Sequence, residues 1–503
     1  MRMFSRESKR DTEDPEASKL FGRGLLYVVV WSFQLIAGVI VSPVLAHMLP
    51  PADFGALATG IALHQLISIL ALLGIDRALV LQRAEDGTDH ASRGLITVSI
   101  LIAALVTLTL GATAQLWGSA LGFSANPDLL LPVLLWTVPA AAIQVMLSLL
   151  LSEDRFRAFA TLSIMSATGG PIVGLVLLVT VHKDPATYAW GGVASQLVAT
   201  VLGMALTRPS IRGLFNWSVI ERAVRLGFPL AMGGLAIFLL SAGDRIIIQA
   251  LLGAEEAGRY QVAYIVGSAV ILLLSATSGA WAPRFAAVRD EEKRTELAAH
   301  SRDELYRVLM PVVLGLTLAA PVALRVVAPP SFRPESLTIV VLLVALSAFP
   351  VAASGATGQL LFTQRRGNVI GIVTAAAAAA NVILNFVLVP LLGIMGAAVA
   401  TVFAYLLLAK LQRMALPAQM ILKGSPGRLV TSVAAVISAS GGSVLLPESF
   451  EWNVIRLVLA LGCLPWFIRA LGRARAGGDA PGNHASKVRH RADPRALRKA
   501  FLS

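Results

Sequence analysis

The stretch RAVRLGFPLAMGGLAIFLLSAGDRIIIQALLG, residues 222–253, decides the class of this protein. It opens on two arginines, Arg222 and Arg225, and then stays apolar for longer than the roughly 20 residues that cross a hydrocarbon core about 30 Å thick. One ionisable pair, Asp244-Arg245, interrupts it near the far end. A helix of this kind spans a membrane with its cationic end in the cytoplasm, because Lys and Arg resist translocation and favour the anionic inner leaflet.

Thirteen further stretches read the same way: 24–48, 55–82, 93–116, 129–152, 156–182, 187–207, 259–282, 308–328, 336–362, 367–390, 393–416, 428–446 and 452–471. With 56% apolar and 14% charged residues, and a mean hydropathy of +0.74, the chain lies outside the range of soluble globular domains. Of its 42 Lys and Arg, 35 fall in every second gap between apolar stretches. That alternation predicts an all-α polytopic protein of about fourteen transmembrane helices with both termini in the cytoplasm. The net charge of +13 is thereby used up as topology signal and juxtamembrane contact, and no nucleic-acid site is expected. The single Cys463 excludes an intrachain disulfide and a thiolate metal cluster.

A second level of order lies in the chain's likeness to itself. Leu49-Pro-Pro-Ala-Asp-Phe-Gly-Ala-Leu57 resembles Leu252-Gly-Ala-Glu-Glu-Ala-Gly-Arg-Tyr260 at an offset of 203, and 188–195 is weakly similar to 393–400 at an offset of 205. Six spans return a chain to its starting side. The repeats therefore predict two six-helix bundles, 24–207 and 224–416, related by a pseudo-twofold along the membrane normal and joined by a cytoplasmic linker, 208–223. Two extra C-terminal helices, 428–471, follow. A cytoplasmic segment, 1–23, precedes the bundles, and a basic tail, 472–503, is predicted to be disordered and leaflet-associated. The charged run Arg289-Asp-Glu-Glu-Lys-Arg294 is expected to begin a surface helix.

Leu45-Ala-His-Met-Leu-Pro-Pro-Ala-Asp-Phe-Gly-Ala-Leu57 followed by Leu73-Gly-Ile-Asp-Arg-Ala-Leu-Val80 resembles the opening of the polysaccharide-biosynthesis flippases, within the multidrug/oligosaccharidyl-lipid/polysaccharide exporter superfamily. Asp244 to Gly253 with Gly258-Arg-Tyr260, and Asn381 to Asn385 with Pro390 and Gly393 to Thr401, are similar to later segments of that family. The resemblance covers roughly 20–470. It departs at His47-Met48 and Pro50, which touch loop geometry. It implies a transporter, not an enzyme, that moves undecaprenyl-diphosphate-linked oligosaccharide across the bacterial inner membrane for exopolysaccharide or lipopolysaccharide synthesis, by alternating access. Polymerase or export machinery would be partners. The alternative is an ion-coupled exporter of multidrug or small-molecule type from the same superfamily. No phosphate-binding loop, His-Glu-x-x-His or His/Cys cluster is present, so neither cofactor nor metal is expected.

An anionic, hydroxylated headgroup needs cations and hydrogen-bonding groups shielded from lipid, and intramembrane ionisable residues are the place to seek them. Asp244 and Arg245 are one pair. Neighbours on a helix point about 100° apart, so each is expected to need its own partner. Ser241, Arg245 and Gln249 form a polar stripe at i, i+4 spacing, and Arg245 fits either a cavity or the outer interface. Asp76 and Arg77 are the other pair, near the inner end of the second span, where a structural or gating role is weighed against one in the substrate path; Gln65, about three turns earlier, shares a face with Asp76. Asn381 and Asn385 read as interhelical glue or cavity lining. His64 is the candidate for ion coupling, weighed against a packing role. Arg456, at the start of the last span, is expected to snorkel to the interface.

Overall fold

The computed structural model describes residues 40–86, 89–278, 285, 287–420 and 422–478, and no strand occurs among them. Among the described residues eleven helices are long and apolar enough to cross a bilayer, against the fourteen predicted for the whole chain. The first predicted span lies mostly outside the described residues, as do the N-terminal segment and the tail beyond Gly478. The eighth is interrupted at Ser268, and its end beyond Ser278 lies outside the described residues. The thirteenth is a helix of 18 residues, Gly427–Val444, whose apolar character is diluted by serine and glycine.

The described residues divide into two compact units, up to Gln261 and from Val262 onward. The first holds α1 (Pro51–Leu72), α2 (Ile75–Asp86), α3 (Asp89–Ala112), α4 (Leu130–Ser152), α5 (Phe156–Thr180), α6 (Pro185–Thr207), α7 (Trp217–Ala242) and α8 (Asp244–Leu252), with the first half of α9 (Ala254–Gly267). Its core is built from the inward faces of α2 to α6: Ile75, Leu79, Leu95, Ile96, Met146, Leu149 and Leu162 are at most 1% exposed. Helices α5 and α6 approach at backbone distance. A Cβ on Gly170 would lie 3.5 Å from the Gly192 Cα, and one on Gly191 would run into the Gly174 backbone. The Gly170-Gly174 spacing thus closes an interface, whereas Gly367 and Gly371, of the same spacing, face open space.

The second unit holds α10 (Ala269–Ser278), α11 (Glu291–Val327), α12 (Thr338–Leu346), α13 (Ala348–Thr363), α14 (Gly367–Leu392), α15 (Ile394–Met414), α16 (Gly427–Val444) and α17 (Phe450–Gly478). The charged run at 289–294 does begin a helix, though one that is not confined to the surface. Asp290 caps α11, accepting from the Glu292 amide at 3.0 Å, and the helix then continues unbroken for 37 residues, about 55 Å. Helices α10, α11, α12, α13 and α16 share a core of Val270, Leu309, Val313, Ala345, Ala348 and Val436.

Arg456 does not snorkel. It is 1% exposed and donates from Nη2 to the Leu446 carbonyl at 2.5 Å, while its Nε has no hydrogen-bond partner. The turn between α16 and α17 folds back over the guanidinium and supplies the carbonyl that the sequence does not advertise.

Candidate functional site

Helix α1 stops at Leu72 because the next two residues are left-handed, Leu73 at φ 48° and Gly74 at φ 72°. Glycine is needed at 74 twice over. The backbone there disfavours a side chain, and a Cβ would collide with the Gly227 carbonyl of α7. The chain resumes as α2 at Ile75, which is fully buried together with Ala78 and Leu79. Those three fix the rotation of α2, and Asp76 and Arg77 in its first turn are left to face a cavity of about 400 Å³.

The cavity lies between α1, α2, α4 and α7, inside the first unit. Gln65 and Ser68 of α1, Gln144 of α4, and Asp76 and Arg77 supply its polar wall; Leu230 and Phe238 of α7 supply its apolar one. Four of the residues expected from sequence, His64, Gln65, Asp76 and Arg77, are thus brought to one place. Gln144 and Ser68 were not expected; the signal in the sequence is an amide within an otherwise apolar span. The Arg77 guanidinium makes no hydrogen bond or ion pair among the described residues, and neither side-chain amide of Gln65 and Gln144 is bonded. The Ser68 hydroxyl is buried without a partner. Asp76 is close enough to feel the Arg77 charge without contacting it. The wall therefore presents one open cation, one carboxylate and several free hydrogen-bonding groups.

His64 touches the cavity but is buried, with its ring stacked on Trp136 at a centroid distance of 4.8 Å and its Nδ1 3.4 Å from the Thr137 hydroxyl.

Asp244 and Arg245 do not line the cavity. Each has a partner of its own, and the two also contact each other, because the chain breaks at Gly243 between α7 and α8 and makes Asp244 the first residue of a new helix. There its carboxylate folds back: Oδ1 accepts from the Arg245 amide at 2.9 Å and from Arg245 Nη1 at 3.3 Å. The Tyr260 hydroxyl donates to Oδ2. Arg245 also donates from Nε to Gln261 at 2.5 Å and from Nη1 to the Ser241 carbonyl at 3.1 Å. Asp244 is 2% and Arg245 7% exposed. Gln249 is likewise occupied, donating to the Leu121 carbonyl at 3.3 Å, and its Oε1 is unbonded.

Asn381 and Asn385 are buried on α14 and bond to each other, Asn385 Nδ2 donating to the Asn381 carbonyl at 2.9 Å and to its Oδ1 at 3.2 Å. This is an intrahelical contact, not a bridge to a neighbour. Among the described residues no three His, Cys, Asp or Glu side chains gather to hold a metal.

The two copies of the internal repeat meet within the first unit. A Cβ on Gly55 would strike the Ala254 carbonyl and lie 2.5 Å from the Gly258 amide, and one on Gly258 would strike the Pro51 carbonyl. The glycine shared by both copies is what lets the two helix starts touch through their backbones.

The fold is that of a multi-pass helical membrane protein with a polar cavity inside its first unit. Among solved structures it is similar to an inward closed conformation of the lipid II flippase MurJ, 13% identical with a TM-score of 0.65, covering 90% of this chain and all of that one. It is also similar to an inward-facing multidrug resistance MATE family transporter of the MOP superfamily, 14% identical with a TM-score of 0.58, covering 80% of this chain and 96% of that one. Both likenesses are of fold alone. The polysaccharide biosynthesis protein family model matches residues 44–333, more than half of the sequence, and the chain belongs to that family. A curated relative, the succinoglycan biosynthesis transport protein ExoT of Rhizobium meliloti (strain 1021), is 26% identical over 291 residues, 56% of this chain. The match spans 57% of that relative's length.

Proposed function

We propose that this protein is a flippase that carries undecaprenyl-diphosphate-linked oligosaccharide from the cytoplasmic to the periplasmic leaflet of a bacterial inner membrane, feeding surface polysaccharide assembly. Family membership and the transport role in the name of ExoT support this reading. The observation that carries it is the unpaired Arg77 guanidinium facing a polar cavity inside a bundle of apolar helices. A cation within a membrane span is costly to insert, and is retained where it meets an anion or water.

In this mechanism Arg77 binds the diphosphate through charge-assisted hydrogen bonds, and Gln65, Gln144 and Ser68 exchange bonds with sugar hydroxyls. Asp76 keeps the wall from becoming so cationic that the anion could not leave. The six-helix lobes 24–207 and 224–416 alternate access, both termini lie in the cytoplasm, and the chain catalyses no covalent step. Arg245 and Asp244 hold the α7–α8 break in shape, and His64 is a packing residue. Polysaccharide polymerase and export machinery act next to it.

The rival reading, an exporter of amphipathic cations, requires a carboxylate that works without a cation beside it. Asp76 next to Arg77 argues against that. Complementation of a strain lacking the gene tests the assignment: Arg77→Ala should fail to restore surface polysaccharide and Asp76→Asn should retain part of it. The opposite pattern favours the cation exporter.

A further inference from the structure

A second cavity, of about 610 Å³, lies in the second unit between α11, α16 and α17, and the proposed transport role does not use it. Four guanidinium groups converge there: Arg307 of α11, Arg428 at the start of α16, and Arg469 and Arg473 one turn apart on α17. Only Arg307 has a carboxylate, being ion-paired with Glu304. Arg428, Arg469 and Arg473 make no side-chain hydrogen bond or ion pair among the described residues. Like charges gathered in one concavity repel, and a bound anion removes the penalty.

The surroundings indicate what the anion is attached to. Trp466 stands in the same wall, 38% exposed, and tryptophan favours the level of lipid headgroups. Along α17, moving away from the arginines, Ile468, Leu464, Leu461 and Val458 are 51–65% exposed, and this helix is the least buried of the eleven candidate spans. The arrangement is therefore a cationic cup at one end of an apolar, outward-facing rail. By the positive-inside rule the cup lies at the inner leaflet, where anionic phospholipids are abundant.

We propose that this cup binds the phosphate headgroup of an anionic diacyl phospholipid, with Arg428, Arg469 and Arg473 donating to the phosphate oxygens and the acyl chains running along α17. Guanidinium forks suit phosphate oxygens geometrically, and an ammonium does not reproduce the paired donors.

The test is native mass spectrometry of the full-length protein in detergent, titrated with phosphatidylglycerol, phosphatidylcholine, undecaprenyl phosphate or inorganic phosphate. One phosphatidylglycerol should be retained in preference to phosphatidylcholine, and its affinity should fall by about tenfold or more in Arg469→Gln/Arg473→Gln. These side chains are exposed, so the variant should fold; an unchanged melting temperature verifies that. The Arg469→Lys/Arg473→Lys variant should fall between the two. Equal retention of phosphatidylcholine, or unchanged binding in the glutamine variant, overturns the proposal. So does displacement of the lipid by undecaprenyl phosphate at lower concentration, or by inorganic phosphate at comparable concentration, because the occupant would then be a polyprenyl or a free anion.

Discussion

Arg245→Ala should damage the protein more than it damages transport. In the wild type the Arg245 guanidinium donates to Gln261 at 2.5 Å, to the Ser241 carbonyl at 3.1 Å and to Asp244 at 3.3 Å. Truncation removes these and leaves Asp244, 2% exposed, with the Tyr260 hydroxyl and backbone amides as its remaining donors. Removing one partner of a buried ion pair costs about 3–5 kcal/mol, most of it the penalty of the charge left behind. Asp244→Asn in the Arg245→Ala background takes that charge away, so the double variant should recover about 1–3 kcal/mol relative to the sum of the singles. The assay is thermal unfolding of the purified protein in one detergent, with the four members of the cycle measured side by side. If Arg245→Ala melts like the wild type yet abolishes polysaccharide export, Arg245 is a substrate cation and the division of roles between the two Asp-Arg pairs is wrong.

Gly55→Ala forces a methyl group into the Ala254 carbonyl and the Gly258 amide, where no flexible side chain can yield, and overpacking of this kind costs about 1–3 kcal/mol; lowered thermal stability of the purified variant checks it. Gly74→Ala combines a left-handed backbone with a collision against Gly227, and should both lower the melting temperature and shift Asp76 and Arg77 out of register, read as lost export. Arg456→Met replaces a buried guanidinium bonded to a single carbonyl with an apolar side chain of similar reach, and should leave the melting temperature unchanged or raised, since apolar replacements of buried charges are often neutral or better. A large loss of stability in Arg456→Met indicates a compensated charge.

Hydropathy revealed the helices because a bilayer imposes a coarse and strong condition, some 20 apolar residues with few charges. The breaks at Gly243 and Ser268 escape it, since averaging over a span is blind to one residue of altered backbone. This matters most for the two Asp-Arg pairs, which look alike in sequence. Both follow a glycine-containing break, and both occupy a first helical turn. What separates them is supplied from elsewhere: Tyr260 and Gln261, a helix away, satisfy one pair, and among the described residues no side chain hydrogen-bonds or ion-pairs with the Arg77 guanidinium of the other. No periodicity carries that information. The same holds for Arg456, whose partner is a backbone carbonyl, and for Gln144, which becomes significant only when α4 is packed against α1 and α2. That the two similar segments, 49–57 and 252–260, touch through their backbones was not legible.

The most direct measurement is translocation in proteoliposomes containing labelled undecaprenyl-diphosphate-linked oligosaccharide, comparing wild type with Arg77→Ala. Loss of one charge-assisted contact to phosphate is worth about 1.5–3 kcal/mol, or roughly tenfold to a hundredfold in rate. Wild type should move the labelled lipid between leaflets, and Arg77→Ala should do so slower by that factor at equal protein content. A wild type that moves none, or an Arg77→Ala variant that moves it at the wild-type rate, contradicts the account.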